Sequence, residues 1–184
     1  MEDLSLHILD IAENAIEARA RRIWLCIDQE EEGDRLTLEI RDDGRGMDAR
    51  ALQRATDPFF TTRTARRVGL GLSLLSEAAS ATGGTLSVES SPGEGTRVSA
   101  TFHSSHIDMK PLGDIPRTVV TLLAGHPEVE LFYSHTTGER SFCMDSGEIA
   151  ARLGGLSISS PPVLRWIEGQ IRRGVADLTG GAGP

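Results

Sequence analysis

The sequence predicts an α+β fold: a two-layer α/β sandwich with helices packed on one mixed sheet, followed by a small α+β appendage. Three observations predict it. Apolar residues recur at helical spacing over residues 4–19 and 70–82. They alternate at strand spacing over residues 22–29, 35–41, 85–90 and 96–102. Short stretches rich in glycine or acidic residues separate neighbouring strands, as hairpin turns do.

The elements follow in chain order. Leu9, Ala12 and Ile16, flanked by Ile8, Ile11 and Ala15, give the first helix one broad apolar face. Ile23, Leu25 and Ile27 alternate through RIWLCIDQ, and EEEGD (30–34) turns the chain into the alternating RLTLEIR (35–41). Asp42-Asp43-Gly44-Arg45-Gly46 then breaks all periodicity. A short helix is expected over 48–55 with Asp48 as N-cap, then a loop over 56–68. The helix at 70–82 stops at Gly83-Gly84. TLSVES, the turn SPGEG and TRVSATF form a second hairpin. After Phe102 the character changes, so the chain divides into residues 1–102 and 103–184. Residues 103–116 read as a linker or a short strand and 115–125 as a helix. Residues 129–135 and 139–145 read as a hairpin around Thr137-Gly138. Segments 147–153 and 162–173 read as helices, and the TGGAGP tail as frayed.

Composition narrows the function. With 39% hydrophobic and 25% charged residues, 184 residues suffice for a packed core. A net charge of -8 argues against a nucleic-acid partner, which needs a basic face to displace phosphate counterions. No apolar run approaches the ~18 residues that cross a bilayer. MEDLSLHILD lacks a basic n-region, so no secretory leader is expected. Cys26 and Cys143 make neither a disulfide framework nor a metal quartet. The expectation is a reduced, cytoplasmic protein that stays off membranes. Lys110 is the only lysine, which nearly removes lysine chemistry.

Four patches carry polar chemistry. Asp10, Asn14 and Glu17 are spaced i, i+4, i+7 and share one helix face. Such a face either holds a hard cation through oxygens or is simply solvated. Asp42-Asp43-Gly44-Arg45-Gly46-Met47 follows a strand; its aspartate can accept from an exocyclic amine while glycines let a ligand approach, and an ordinary turn is the alternative. Asp57-Pro58-Phe59-Phe60-Thr61-Thr62-Arg63 reads as a loop anchored by aromatic burial. Val68-Gly69-Leu70-Gly71-Leu72-Ser73 opens a helix, where exposed N–H groups suit a phosphate. It is not the lysine-bearing phosphate loop, since no such lysine is present.

In this order and spacing, DIAENAIEA, DDGRGM, DPFFTT, VGLGLSLL and GGTLSVESSPGEGTRVSATF resemble the boxes of one family. It is the ATP-binding domain shared by sensor histidine kinases, type II topoisomerases, heat-shock chaperones and mismatch-repair clamps (the GHKL or Bergerat fold). The resemblance spans residues 1 to about 102 and is greatest to the sensor-kinase branch. It implies Mg2+ and ATP as cofactors. Asn14 matches the asparagine that binds the magnesium bridging the phosphates. Asp42 matches the aspartate that accepts from the adenine amine, and Gly44 and Gly46 match the glycines that shape the adenine pocket. Gly69 and Gly71 match the glycines whose backbone meets the phosphates under a lid. Thr96 matches a threonine near the adenine that usually acts through water. Met47, Phe60, Thr61, Leu70 and Leu72 fall at further nucleotide-contacting positions. Arg63, Arg66 or Arg67 stands where sensor kinases often carry a lysine on the γ-phosphate; an arginine fork need not reproduce that geometry. Asp10, four residues before Asn14, stands where several branches carry a glutamate base and many sensor kinases an uncharged residue. Asp10 is expected as a weak catalytic base or as an orienter of water or magnesium.

The first box begins about ten residues from Met1, leaving no room for a phosphoacceptor hairpin, and His7 on the magnesium helix is badly placed as acceptor. The resemblance therefore implies a stand-alone kinase acting in trans on a protein partner. An ATP-dependent, anti-sigma-like binding module and an ATPase clamp are the alternatives. Residues 103–184 match no named pattern. Their histidines and Cys143 fit no zinc spacing, and by elimination this region is expected to be a partner or homodimer surface.

Overall fold

A computed structural model describes residues 3–55, 71–178 and 180. The chain runs α1 (Leu4–Glu17), β1 (Arg22–Glu30), β2 (Arg35–Asp42), α2 (Ala49–Gln53), α3 (Gly71–Ala81), β3 (Leu86–Ser91) and β4 (Gly95–His103). It continues through α4 (Ile115–Gly125), β5 (Glu130–Thr137), β6 (Arg140–Asp145), α5 (Ser146–Arg152) and α6 (Pro161–Leu178). Local chemistry sets the helix starts. Asp3 accepts from the Leu6 N–H, Asp48 from Ala51, Asp114 from Arg117, and Asp145 from Gly147 and Glu148. The expected cap at Asp48 is present, and Gly83 (φ +77°) follows α3 in the left-handed region that glycine tolerates.

All six strands form one sheet in the order β3-β4-β2-β1-β5-β6. Every pairing is antiparallel except β1 with β5, which is parallel, so the sheet is mixed as expected. The parallel step requires a crossover, and α4 provides it. Alternate strand residues such as Leu25, Leu38, Ala100 and Tyr133 are fully buried, whereas their neighbours Trp24, Glu39 and Ser99 are only partly covered. The helices thus cover one face of the sheet. A single core runs through both chain segments, from Leu4 and Ile8 of α1 to Ile167 and Ile171 of α6.

Several boundaries differ from the sequence expectation. The 103–116 stretch forms no separate strand; β4 ends at His103, and the loop beyond ties back through the Leu4 N–H to the Pro111 carbonyl at 3.0 Å. The last helix extends five residues past the expected 173, because Val175 and Leu178 continue the buried stripe of Ile167 and Ile171. The first helix ends at Glu17, after which Arg19 takes φ +64° and redirects the chain into β1.

Candidate functional site

Strand register builds the first half of the site. Asp42 of β2 lies opposite Thr96 of β4, and Thr96 lies opposite Ser90 of β3. In β2 and β4 these positions share parity with the buried Ile40, Leu38, Val98 and Ala100, so the row faces the helices. Asp42 is 7% exposed and carries no ion pair among the described residues. Burial raises its pKa; the N–H groups of Gly44 and Thr96 pull it back down, and neighbouring Asp43 raises it. The Gly44 N–H donates to Asp42 Oδ1 at 2.7 Å, which fixes the carboxylate while leaving acceptor capacity unspent.

The loop after Asp42 is pinned on both sides. The Arg45 N–H donates to the Ala18 carbonyl at 2.9 Å, and the Gly93 N–H to the Arg45 carbonyl at 2.7 Å. Gly46 sits at φ +65°, and a Cβ there would come 1.9 Å from the Ser91 carbonyl oxygen. Only glycine permits that approach. The Met47 N–H donates to Ser90 Oγ at 2.8 Å. Asp42, Gly44, Gly46, Met47 and Thr96 therefore meet at one end of the sheet.

α1 supplies the second half. Its C-terminal end touches the glycine loop through Ala18. Two turns earlier Asp10 meets the start of α3, where a Cβ on Gly71 would come 1.9 Å from Asp10 Oδ2. The interval from Asp10 to Ala18 spans ~12 Å of helix, and half-buried Asn14 lies midway. Asp10 is likewise half-buried, whereas Glu17 of the same stripe is exposed. Leu72 packs partly against the core. Phe60, Thr61, Arg63, Arg66, Arg67, Gly69 and Leu70 lie outside the described residues. His7 is fully buried, and neither ring nitrogen has a hydrogen-bond partner among the described residues. The Gly71 backbone lies beside its ring and pulls its pKa upward. Burial, with smaller contributions from Lys110 and the amino terminus, lowers its pKa.

The sheet end thus carries a buried acceptor beside a glycine loop that admits close approach, and α1 runs from that loop past Asn14 to the start of α3. Comparison with known proteins decides the family. The model of the histidine kinase-, DNA gyrase B- and HSP90-like ATPases matches residues 2–106. The chain belongs to that family. It is 42% identical over 79 residues to the C4-dicarboxylate transport sensor protein DctB of Pseudomonas aeruginosa, covering 40% of this chain and 13% of that one. It is 36% identical over 89 residues to the sensor histidine kinase ZraS of Klebsiella oxytoca, covering 48% of this chain and 19% of that one. The chain thus spans less than a quarter of these relatives. The crystal structure of the N-terminal domain of a DNA repair protein superposes with a TM-score of 0.57 at 16% identity, covering 79% of this chain and 53% of that one, a likeness of fold. The protein is a histidine-kinase-like ATPase domain related to sensor kinases. Among the described residues, no helix is long and apolar enough to cross a membrane.

Sequence reasoning missed Ser90. The turn SPGEG closes a hairpin, and counting back from its ends sets residue 90 opposite Thr96, so the signal was present. It also missed Asp43, whose Oδ1 accepts from the N–H groups of Arg21 and Arg22 at 2.7 and 2.9 Å.

Proposed function

We propose that this domain binds Mg-ATP between the Asp42 row and α1, and passes the γ-phosphate to a side chain on a protein partner. The observation that carries the reading is Asp42: a carboxylate buried to 7% exposure, without a cationic partner among the described residues, beside a second oxygen on Thr96. The Gly44 and Thr96 N–H groups donate to it and leave lone pairs over, and a purine's exocyclic amine can donate to one of these. Asn14 would hold magnesium through its amide oxygen, and magnesium would neutralise phosphate charge. Asp10, on the same helix and against Gly71, stands where a base or a water-orienting group is needed. The family membership supports nucleotide binding. The relatedness to sensor kinases supports transfer over simple hydrolysis.

Calorimetric titration with a non-hydrolysable ATP analogue, with and without magnesium, tests the reading. Asp42→Ala is expected to weaken binding about 10- to 100-fold, the worth of a hydrogen bond to a charged group. Asn14→Ala is expected to erase the increment that magnesium adds. Wild-type protein that fails to bind at millimolar analogue overturns the proposal. Incubation with labelled ATP and candidate partners separates the kinase from its alternatives: a kinase leaves label on the partner, a nucleotide-dependent binding module or an ATPase clamp does not.

A further inference from the structure

We infer that His7 is a positioning residue for the phosphate end of the site: its ring lies where α1 meets the start of α3, and it gains a hydrogen bond to the first turn of α3 when a phosphate seats that turn. The inference rests on the nucleotide-binding reading above and adds a residue which that reading does not use.

Helix register places the ring. His7 and Asp10 stand three residues apart on α1 and share a face. Asp10 meets Gly71 so closely that a Cβ there would lie 1.9 Å from its Oδ2. The Gly71 backbone also lies beside the His7 ring, one turn back along the same contact. Gly71 opens α3, a helix of 11 residues. The first N–H groups of such a helix have no partner within it and suit an anion.

The ring is fully buried, and neither nitrogen has a hydrogen-bond partner among the described residues. No other buried side chain among them is left in this condition. Burial, with Lys110 and the amino terminus, disfavours charge on the ring, so at neutral pH it carries one N–H and one lone pair. Stranding these groups away from water is costly, and carbon of the same bulk would avoid the cost. Packing alone therefore does not account for a histidine here.

An acceptor is at hand. The Gly71 carbonyl has two lone pairs, and an intrahelical N–H takes only one. A small shift of α3 against α1 brings the second lone pair onto the imidazole N–H. A phosphate held by the first N–H groups of α3 fixes that turn, and Gly71 is where the turn meets His7. A bond that forms only with the phosphate in place adds to phosphate affinity, by linkage. It adds nothing at the base, because the glycine loop at Ala18 lies ~16 Å along α1 from His7.

The test titrates the full chain, with magnesium, against a non-hydrolysable ATP analogue and against adenosine. His7→Leu is expected to weaken the analogue about five- to tenfold, the worth of one hydrogen bond, and to leave adenosine unchanged. It is expected to do so while raising Tm, so that stability and affinity move in opposite directions. A histidine with a structural role only would shift Tm and leave the analogue's affinity alone. His7→Asn returns an N–H near Nδ1 and His7→Gln one near Nε2; one of them is expected to recover part of the affinity. In the wild type the imidazole N–H signal of His7, followed by nitrogen-15 NMR, is expected to move downfield and to exchange more slowly when the analogue is added. The positioning role is wrong, although nucleotide binding stands, if His7→Leu binds the analogue as the wild type does or loses adenosine to the same extent. An imidazole signal indifferent to the analogue overturns it as well, and that measurement needs no variant to fold. Wild type that binds neither ligand overturns the nucleotide reading itself.

Discussion

Removing one hydroxyl from the joint between β1 and β5 tests whether the C-terminal segment folds with the nucleotide domain as one unit. Tyr133 is fully buried, and its O–H lies 2.9 Å from His135 Nδ1. His135 Nε2 lies 2.9 Å from Gln29 Oε1, a group that only accepts. The imidazole proton therefore sits on Nε2, and Nδ1 accepts from Tyr133. Tyr133→Phe keeps the ring and its packing on Phe142 but strands a buried acceptor. The expected cost is about 1–3 kcal/mol, or a fall in Tm of roughly 2–12 °C for a chain of this size. Thermal unfolding followed by circular dichroism at pH 7.5 measures it. A single transition that moves as a whole is expected; an unchanged Tm would refute the reasoning. Acid provides the same test without mutation. Burial lowers the pKa of both His135 and His7 below the ordinary 6.5. The unfolded chain then takes up these protons first, so stability is full above about pH 6.5 and falls as the pH drops below it. Stability that rises on acidification through this range would contradict the neutral, buried assignment.

Three further outcomes follow from single positions. His7→Leu replaces a buried imidazole, neither of whose nitrogens has a hydrogen-bond partner among the described residues, with carbon of similar bulk, and is expected to raise stability by about 1–3 kcal/mol and to flatten the acid limb, read by urea denaturation at pH 5 and 7.5. Gly46→Ala drives a methyl group into the Ser91 carbonyl and is expected to cost at least about tenfold in ATP-analogue affinity; Gly93→Ala, also at positive φ but with nothing within 4 Å, is expected to leave affinity unchanged, and equal effects would show that the contact is irrelevant. Asp10→Asn keeps the shape beside Gly71 and removes the base, so steady-state ATP turnover is expected to fall by on the order of 10²-fold, whereas unchanged turnover removes the base role.

Most of the site was legible because the residues that build it are close in sequence to signals that fix backbone. Asp42 ends a strand with clean alternation, and the glycines after it cannot continue that strand. Asp48 announces its helix by type and place. The placement of β5 was not legible. Its buried-exposed alternation states that one face is covered, but alternation is the same for any neighbour, and the parallel partner β1 lies more than a hundred residues away. His7 was readable as a packing residue, yet nothing in the sequence showed that neither nitrogen would find a partner among the described residues. Ser90 looked like one polar residue among several in TLSVES; only register separates it from Ser87, which faces the other side.

The adjacent aspartates at the end of β2 do opposite work. Asp42 points inward and keeps its acceptor capacity. Asp43 spends its carboxylate on the N–H groups of Arg21 and Arg22, at the entry to β1. Those same two residues hold β5, because the Glu130 N–H donates to the Arg21 carbonyl at 2.8 Å and the Arg22 guanidinium pairs with the Glu130 carboxylate. The ion pair is half exposed and contributes little by itself. The backbone bonds matter more, since β1 pairs with β5 along its length from Arg22 to Gln29. A chain cut after Phe102 would leave that edge of β1 unpaired and strip the cover from its buried residues, which invites edge-to-edge association. Loss of partner function in such a truncate would therefore report a damaged sheet and not a missing docking surface. Substitutions at exposed positions that leave the sheet intact, such as Trp166 at 52% exposure on α6, are the ones that can separate a role in partner contact from a role in holding the nucleotide domain together.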